Sequence, residues 1–222
     1  MNHWKKINLV IVSLFLFIAF NPSTQAHALD KGVLCHIKEL LGPYPAKGSP
    51  EEAADFAELF KYQETRTAEQ CAAAASEVKI SLDHFFGGAN GPLTQDEVKR
   101  LKPLMFKYLI KSGISSSLGK FLFKRPRPYV TNPALVPCIA KSNSYAYPSG
   151  HTTMARVYAR VLAKKFPERA EQFMQRGDEV AMHRVLGGVH HPSDIVAGKK
   201  LGDALTKHLF SNKEFLKELE AL

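Results

Sequence analysis

Between Pro50 and Leu209 the apolar residues return every three or four positions, and over no useful length do they alternate. This constrains the fold more than any other feature, because a period near 3.6 buries one stripe of a helix and a period of 2 buries one face of a strand. Ala53, Phe56, Ala57 and Phe60 mark one stripe, and Ala72, Ala75, Val78, Leu82 and Phe86 a second. Residues 86–92 are dense in turn formers, and Thr94 with Glu97 makes a capping box that starts the next helix. Gly113 to Ser117 is expected to break that helix before a short segment at 118–123, and four prolines make residues 125–137 a loop. Ser149 precedes a helix over 152–166 that Pro167 stops, and a further helix over 168–186 ends at Gly187 and Gly188. The last long helix begins at Pro192, a residue suited to the first helical position, with Ile195, Gly198, Leu201, Leu205 and Leu209 on its inner face. With no internal repeat and no low-complexity tract, the expectation is an all-α, single-domain helical bundle.

The N-terminus has a different character. Lys5 and Lys6 precede an uncharged run from Leu9 to Phe20, which is shorter than the roughly 20 residues needed to cross a bilayer, and Ala26-His27-Ala28 has the small-x-small form of a cleavage site. This pattern predicts a secretory signal over 1–28, cleaved near Ala28, and a domain over 29–222 that is periplasmic or secreted. An uncleaved anchor is the competing reading. The formal charge of +9 stays positive once Lys5 and Lys6 are removed, which favours anionic partners. Charge alone does not separate phosphate esters from nucleic acid or an anionic leaflet. Cys35, Cys71 and Cys138 allow one intramolecular disulfide at most, leave the pairing open, and contain no C-x-x-C pair of the kind that zinc sites use.

Three separated segments gather basic and imidazole groups where loops meet helix starts: Lys120 to Pro128, Pro148 to His151, and Arg184 to Asp194. Taken singly, such residues complement helix dipoles, cap helices or make structural pairs. Together they hold what phosphoryl transfer needs: several fixed donors for the charged oxygens, a nucleophile and a proton donor. Ser149-Gly150 and Pro192 would also bring two helix N-termini, with unpaired N–H groups, beside the imidazoles.

At these residues the chain resembles the bacterial class A non-specific acid phosphatases, within the type 2 phosphatidic acid phosphatase superfamily. That signature runs Lys, six residues, Arg-Pro; then Pro-Ser-Gly-His; then Ser-Arg, five residues, His, three residues, Asp. Lys120 and Arg127-Pro128 match the first part, Pro148 to His151 the second, and Arg184, His190 and Asp194 the third with both spacings kept. The Ser that precedes the motif's Arg is His183 here. The resemblance implies that His190 attacks phosphorus while Asp194 holds its other ring nitrogen, and that His151 protonates the leaving oxygen and then activates water. It assigns the phosphoryl oxygens to Lys120, Arg127, Arg184, the Ser149 hydroxyl and the Gly150 N–H. No cofactor or metal is implied. The expected partners are small phosphate monoesters, not polymeric nucleic acid, with peripheral contact to an anionic membrane and homo-oligomerisation left open.

Three other readings compete. A lipid phosphatase working on phosphatidate or lipid A would share these motifs, although residues 29–222 contain no apolar run of 18 residues. The vanadium-dependent haloperoxidases share the same oxyanion pocket. A non-catalytic phosphate-binding protein is the third, and a zinc site built from His183, His190, His191 and Asp194 competes with the metal-free mechanism. His191, Lys124 and Arg125 match no position of the signature.

Overall fold

The computed structural model describes residues 36–88 and 91–222, so the segment expected to be a signal, and Cys35, lie outside the described residues. These residues form helices α1 (Ile37–Leu41), α2 (Pro50–Thr65), α3 (Ala68–Ser76), α4 (Leu82–Phe86) and α5 (Gln95–Phe123). They continue with α6 (Pro128–Thr131), α7 (Gly150–Lys165), α8 (Ala170–Leu186), α9 (Pro192–Leu209) and α10 (Lys213–Glu220). A 3-10 turn at Pro167–Arg169 joins α7 to α8. The expected all-α class holds: among the described residues extended pairing is limited to an isolated bridge between Gly87 and Leu93.

Helix α7 packs against α8, α9 and α5. Its Val157, Ala159, Val161 and Leu162 are fully buried, and Tyr158 meets the rings of Phe85 and Phe86, the latter against Phe173. Close approach relies on missing side chains. A Cβ on Gly198 of α9 would sit 2.8 Å from both the Ser149 carbonyl oxygen and Thr152 Cβ at the start of α7. Two helix starts are thereby pressed together, and the Ser149 N–H donates to the Asp194 carbonyl across the junction at 3.1 Å.

Local signals behaved as expected at several ends. The Thr94 box is formed, with Thr94 Oγ1 accepting from the Glu97 N–H at 3.2 Å and the Glu97 carboxylate accepting from the Thr94 N–H at 2.8 Å. Pro192 opens α9, and Gly188 takes the left-handed φ of +77° that ends the α8 segment.

Elsewhere tertiary packing overrode propensity. The break expected at Gly113–Ser117 does not occur; α5 runs unbroken for 29 residues with Pro103 inside it. The Ser116 and Ser117 hydroxyls both donate back to the Gly113 carbonyl at 3.0 Å, and Ser115 and Ser116 are buried. One turn further on the helix packs closely, since a Cβ on Gly119 would strike Pro148 Cδ at 2.7 Å. The stretch expected as loop contains α6, and α10 was not anticipated. The stripes expected over α2 to α4 hold in part: Leu82 and Phe86 are buried and Phe56 and Phe60 pack on the cluster around Leu59, but Ala53, Ala57, Ala72, Ala75 and Val78 are exposed, whereas Asp55, Leu59 and Ala74 are buried. Asp55 turns inward because its carboxylate has buried partners from across the fold.

Candidate active site

The motif residues lie at the junction of α5, α7, α8 and α9. His190 follows the α8 turn and is 2 % exposed; its backbone N–H donates to the Arg184 carbonyl at 3.2 Å. Asp194, in the first turn of α9, is fully buried. Its Oδ2 lies 3.1 Å from His190 Nδ1 and accepts the His191 N–H at 2.8 Å, so the carboxylate caps α9 and holds the imidazole at once. With Nδ1 facing the carboxylate as donor, His190 Nε2 keeps its lone pair. Arg127 Nη1 is 2.9 Å from that Nε2 and also donates to the Val189 carbonyl at 2.7 Å.

The cationic groups converge around this imidazole. Arg127 is fixed from behind by the Ser144 carbonyl and hydroxyl, at 2.8 and 2.9 Å. Lys120 Nζ donates to the Tyr145 carbonyl at 2.6 Å, and its stem lies close to Gly150, where an added Cβ would be 3.9 Å from Lys120 Cε. Ser149 is the fully buried cap of α7; its oxygen accepts from Thr152 Oγ1 at 3.0 Å and so keeps its own O–H to donate. Gly150, first residue of α7, has no acceptor within its helix for its N–H. His151 is half-buried, with Nε2 3.0 Å from the Val78 carbonyl. Arg184 is 1 % exposed; Nη2 donates to Glu77 Oε2 at 3.3 Å and to the Ala74 carbonyl. Its Nε is a buried donor with no partner, which suits a guest that brings an acceptor.

Burial and the crowding of positive charge shift the titrating groups. Lys120 is pushed down to about 7 by burial and then by the charge on Arg127. His151 falls to about 4, mainly through burial and the charge on Arg184. Burial, then Arg127, drives His190 well below the ordinary imidazole range against the pull of Asp194. For Asp194, burial would raise the carboxyl, but hydrogen bonds from His190 and His191 and the Arg125 charge carry it well below its ordinary range. The site thus holds neutral imidazoles amid guanidinium and ammonium groups, an electrophilic surround for a tetrahedral anion.

Residues outside the signature also enter the site. Arg125 is buried and bridges the Asp194 carboxylate at 2.7 Å to Asp55 at 2.9 Å, while Asp55 also accepts the Ser193 N–H at 2.9 Å. His191 Nδ1 lies 3.3 Å from Asp194 Oδ2. Glu77 binds Arg184, Arg176 and His183 together. Arg125 stood two residues from a motif position; Asp55 and Glu77 carried no local signal at all. His183 Nδ1 is 2.9 Å from Glu77 Oε2, so the residue standing in place of Ser has a specific partner and is not mere filling. The competing zinc group is not assembled, because His183 is held by Glu77 and no metal-capable group of three His, Cys, Asp or Glu occurs among the described residues.

A helical bundle that gathers the start of α7, two guanidinium groups and an aspartate-held imidazole at one junction has the donor set of an anion site, whereas the α9 start, expected to offer unpaired N–H groups, is taken by carboxylates, the His191 N–H by Asp194 and the Ser193 N–H by Asp55. The chain belongs to the PAP2 superfamily, whose pattern matches residues 103–215, just over half of it. It is similar to the non-specific acid phosphatase of Providencia stuartii, 29 % identical over 191 residues that make up 82 % of this chain and 77 % of that one. It is also similar to the lipid A 1-phosphatase of Rhizobium johnstonii, 29 % identical over 102 residues covering 44 % of this chain and 42 % of that protein. Among solved structures, a bacterial vanadium-dependent iodoperoxidase aligns with a TM-score of 0.50 at 16 % identity, over 76 % of this chain and 51 % of its own, which is a likeness of fold alone. Family and relatives together make the protein a phosphatase, a phosphoric monoester hydrolase.

Proposed function

We propose that this phosphatase hydrolyses phosphate monoesters at acid pH through a phosphohistidine on His190, without a metal, and acts outside the cytoplasm after residues 1–28 are removed. The observation that carries the reading is the imidazole itself: Asp194 holds Nδ1 at 3.1 Å, and Arg127 stands 2.9 Å from the lone-pair nitrogen. The Nε2 lone pair attacks phosphorus in line and the ester P–O bond breaks. Its electrons pass to the leaving oxygen, which takes a proton from His151. Neutral His151 then removes a proton from water, whose oxygen displaces His190 from phosphorus and regenerates both side chains. Lys120, Arg127, Arg184, the Ser149 hydroxyl and the Gly150 N–H neutralise the phosphoryl oxygens throughout.

Rapid mixing with labelled substrate, quenched without acid, is expected to trap phosphate in an alkali-stable, acid-labile bond. That label should be absent from His190→Ala, and turnover should survive chelator. Label persisting in His190→Ala would assign the nucleophile elsewhere. Export is supported by the charged-then-apolar N-terminus and by the Cys71–Cys138 disulfide, a bond that persists in oxidising compartments. The N-terminal sequence of protein recovered from the periplasm or medium should begin near Leu29.

Lipid phosphate is the second reading, favoured by the likeness to a lipid A 1-phosphatase and by the exposed apolar side chains of Val78 and Tyr145 next to His151 and Lys120. Rates across nucleotides, sugar phosphates and micellar lipid phosphates separate the two. A soluble monoester is expected to give the highest kcat/KM.

A further inference from the structure

We infer that Glu77 is a positioning residue for phosphate recognition: its buried carboxylate holds Arg184 in the pose that leaves Nε free to meet a phosphoryl oxygen. This rests on the phosphatase reading above and adds to it a residue that belongs to none of the three motifs.

An anion beside a phosphate site is unfavourable on its face, since it repels the substrate, so its presence asks for a reason. Glu77 is 1 % exposed and just follows α3, in a segment far in sequence from the catalytic helices. Its Oε1 accepts from Arg176 Nη2 at 2.5 Å; its Oε2 accepts from Arg184 Nη2 at 3.3 Å and lies 2.9 Å from His183 Nδ1. Both oxygens are therefore saturated by cationic or ring donors, which screens the carboxylate from a neighbouring anion while fixing the donors in space. The same short segment grips the Arg184 guanidinium a second time through the Ala74 carbonyl, and supplies the Val78 carbonyl to His151 Nε2. Cys71 of α3 is bonded to Cys138, whose N–H donates to the Gly187 carbonyl beside the catalytic turn, so the segment cannot drift from α8.

With Nη2 committed to Glu77 and Ala74, the orientation of the guanidinium plane is set, and Nε is left as a buried donor with no acceptor in the protein. A planar fork donates usefully only when its plane is aimed. Arg176 anchors the carboxylate from the far side, with its own Nε donating to the Phe85 carbonyl at 2.8 Å. His183, in place of the family's Ser, completes the set of donors on Glu77.

The test compares Glu77→Gln with Arg176→Lys in the full chain, reading affinity for inorganic phosphate and orthovanadate by competitive inhibition, together with kcat and KM for p-nitrophenyl phosphate and the melting temperature. Arg176→Lys keeps a charge on Glu77 and loosens only the scaffold, so it should lower the melting temperature and leave phosphate affinity near wild type. Glu77→Gln should weaken phosphate and vanadate binding by roughly 10- to 100-fold, the scale of losing one hydrogen bond to a charged group. KM should rise by a similar factor and kcat should change much less, as for lost binding common to ground and transition states. If Glu77→Gln does not fold, Glu77→Asp, which keeps the charge and shortens the reach, should show the same split in smaller measure. Unchanged phosphate affinity in Glu77→Gln or Glu77→Asp, or an equal loss in Arg176→Lys, would overturn the inference. Wild-type protein that binds neither anion would instead overturn the phosphate-site reading itself, and this one with it.

Discussion

At the scale of single residues, the site is defined by which groups are charged before substrate arrives. Lys120, held down to about 7, is an ammonium below that pH and a neutral amine above it. An anion binds the charged form, so affinity should be full below pH 7 and lost as pH rises through it. Sulfate, dianionic from pH 4 to 9, isolates this effect: its inhibition constant should rise through pH 7 in the wild type and lose that step in Lys120→Met. His151, pushed down to about 4 by burial and then by the charge on Arg184, must be protonated to serve a leaving group, and a bound anion offsets the repulsion by Arg184. Turnover should accordingly peak at acid pH and fall on both sides. Because an alkoxide needs that proton and nitrophenolate does not, His151→Ala should slow the phosphoenzyme burst by roughly 10²- to 10⁴-fold with alkyl phosphates. The loss should be much smaller with p-nitrophenyl phosphate. Equal losses of burst rate would move the general acid to another residue.

At the scale of elements, what matters is that helix starts are brought within bonding distance of each other. The α7–α9 contact depends on Gly198, where a Cβ would lie 2.8 Å from the Ser149 carbonyl oxygen. Gly198→Ala should force the two N-termini apart, lower stability by about 1–3 kcal/mol and reduce activity, since Ser149 and Asp194 sit on either side of the contact. Gly113, inside α5, offers the contrast: a Cβ there meets nothing within 4 Å. Gly113→Ala should stabilise by up to about 1 kcal/mol through helix propensity and leave kinetics unchanged. Urea midpoints and kcat/KM on the two variants check both outcomes.

Across the whole molecule, the buried charges make stability depend on pH. His151 and His190 both titrate below their ordinary 6.5 in the fold, so the unfolded chain takes up more protons as pH drops below that value. Stability should therefore fall from about pH 6.5 towards 4. Asp194 and Glu77, both lowered, act in the same direction: their contribution is present above the usual carboxylate range and is lost as pH falls through their folded values. The melting temperature should climb between pH 4 and 6.5, and saturating phosphate should flatten the climb by letting His151 hold its proton in the folded state. A melting temperature that declines over this interval would contradict the burial of neutral imidazoles.

The sequence by itself determined the helical class, the Thr94 and Pro192 starts and the eight motif residues, because those signals are local: a period of 3.6, a cap, a fixed spacing of His190 and Asp194. It did not determine that α5 runs on through Gly113 and three serines, since only the packed fold buries Ser115 and Ser116 and presses Gly119 against Pro148, so that a helix is kept where the local residues signal a break. Nor could it place Asp55, Glu77 or Arg125. A buried charge is stable only opposite its partner, and those partners lie far along the chain, with Asp55 paired to Arg125 and Glu77 to Arg176, Arg184 and His183. Tertiary structure alone decides such pairs, because the energy that keeps each charge in the interior exists only once the chain has brought both halves together.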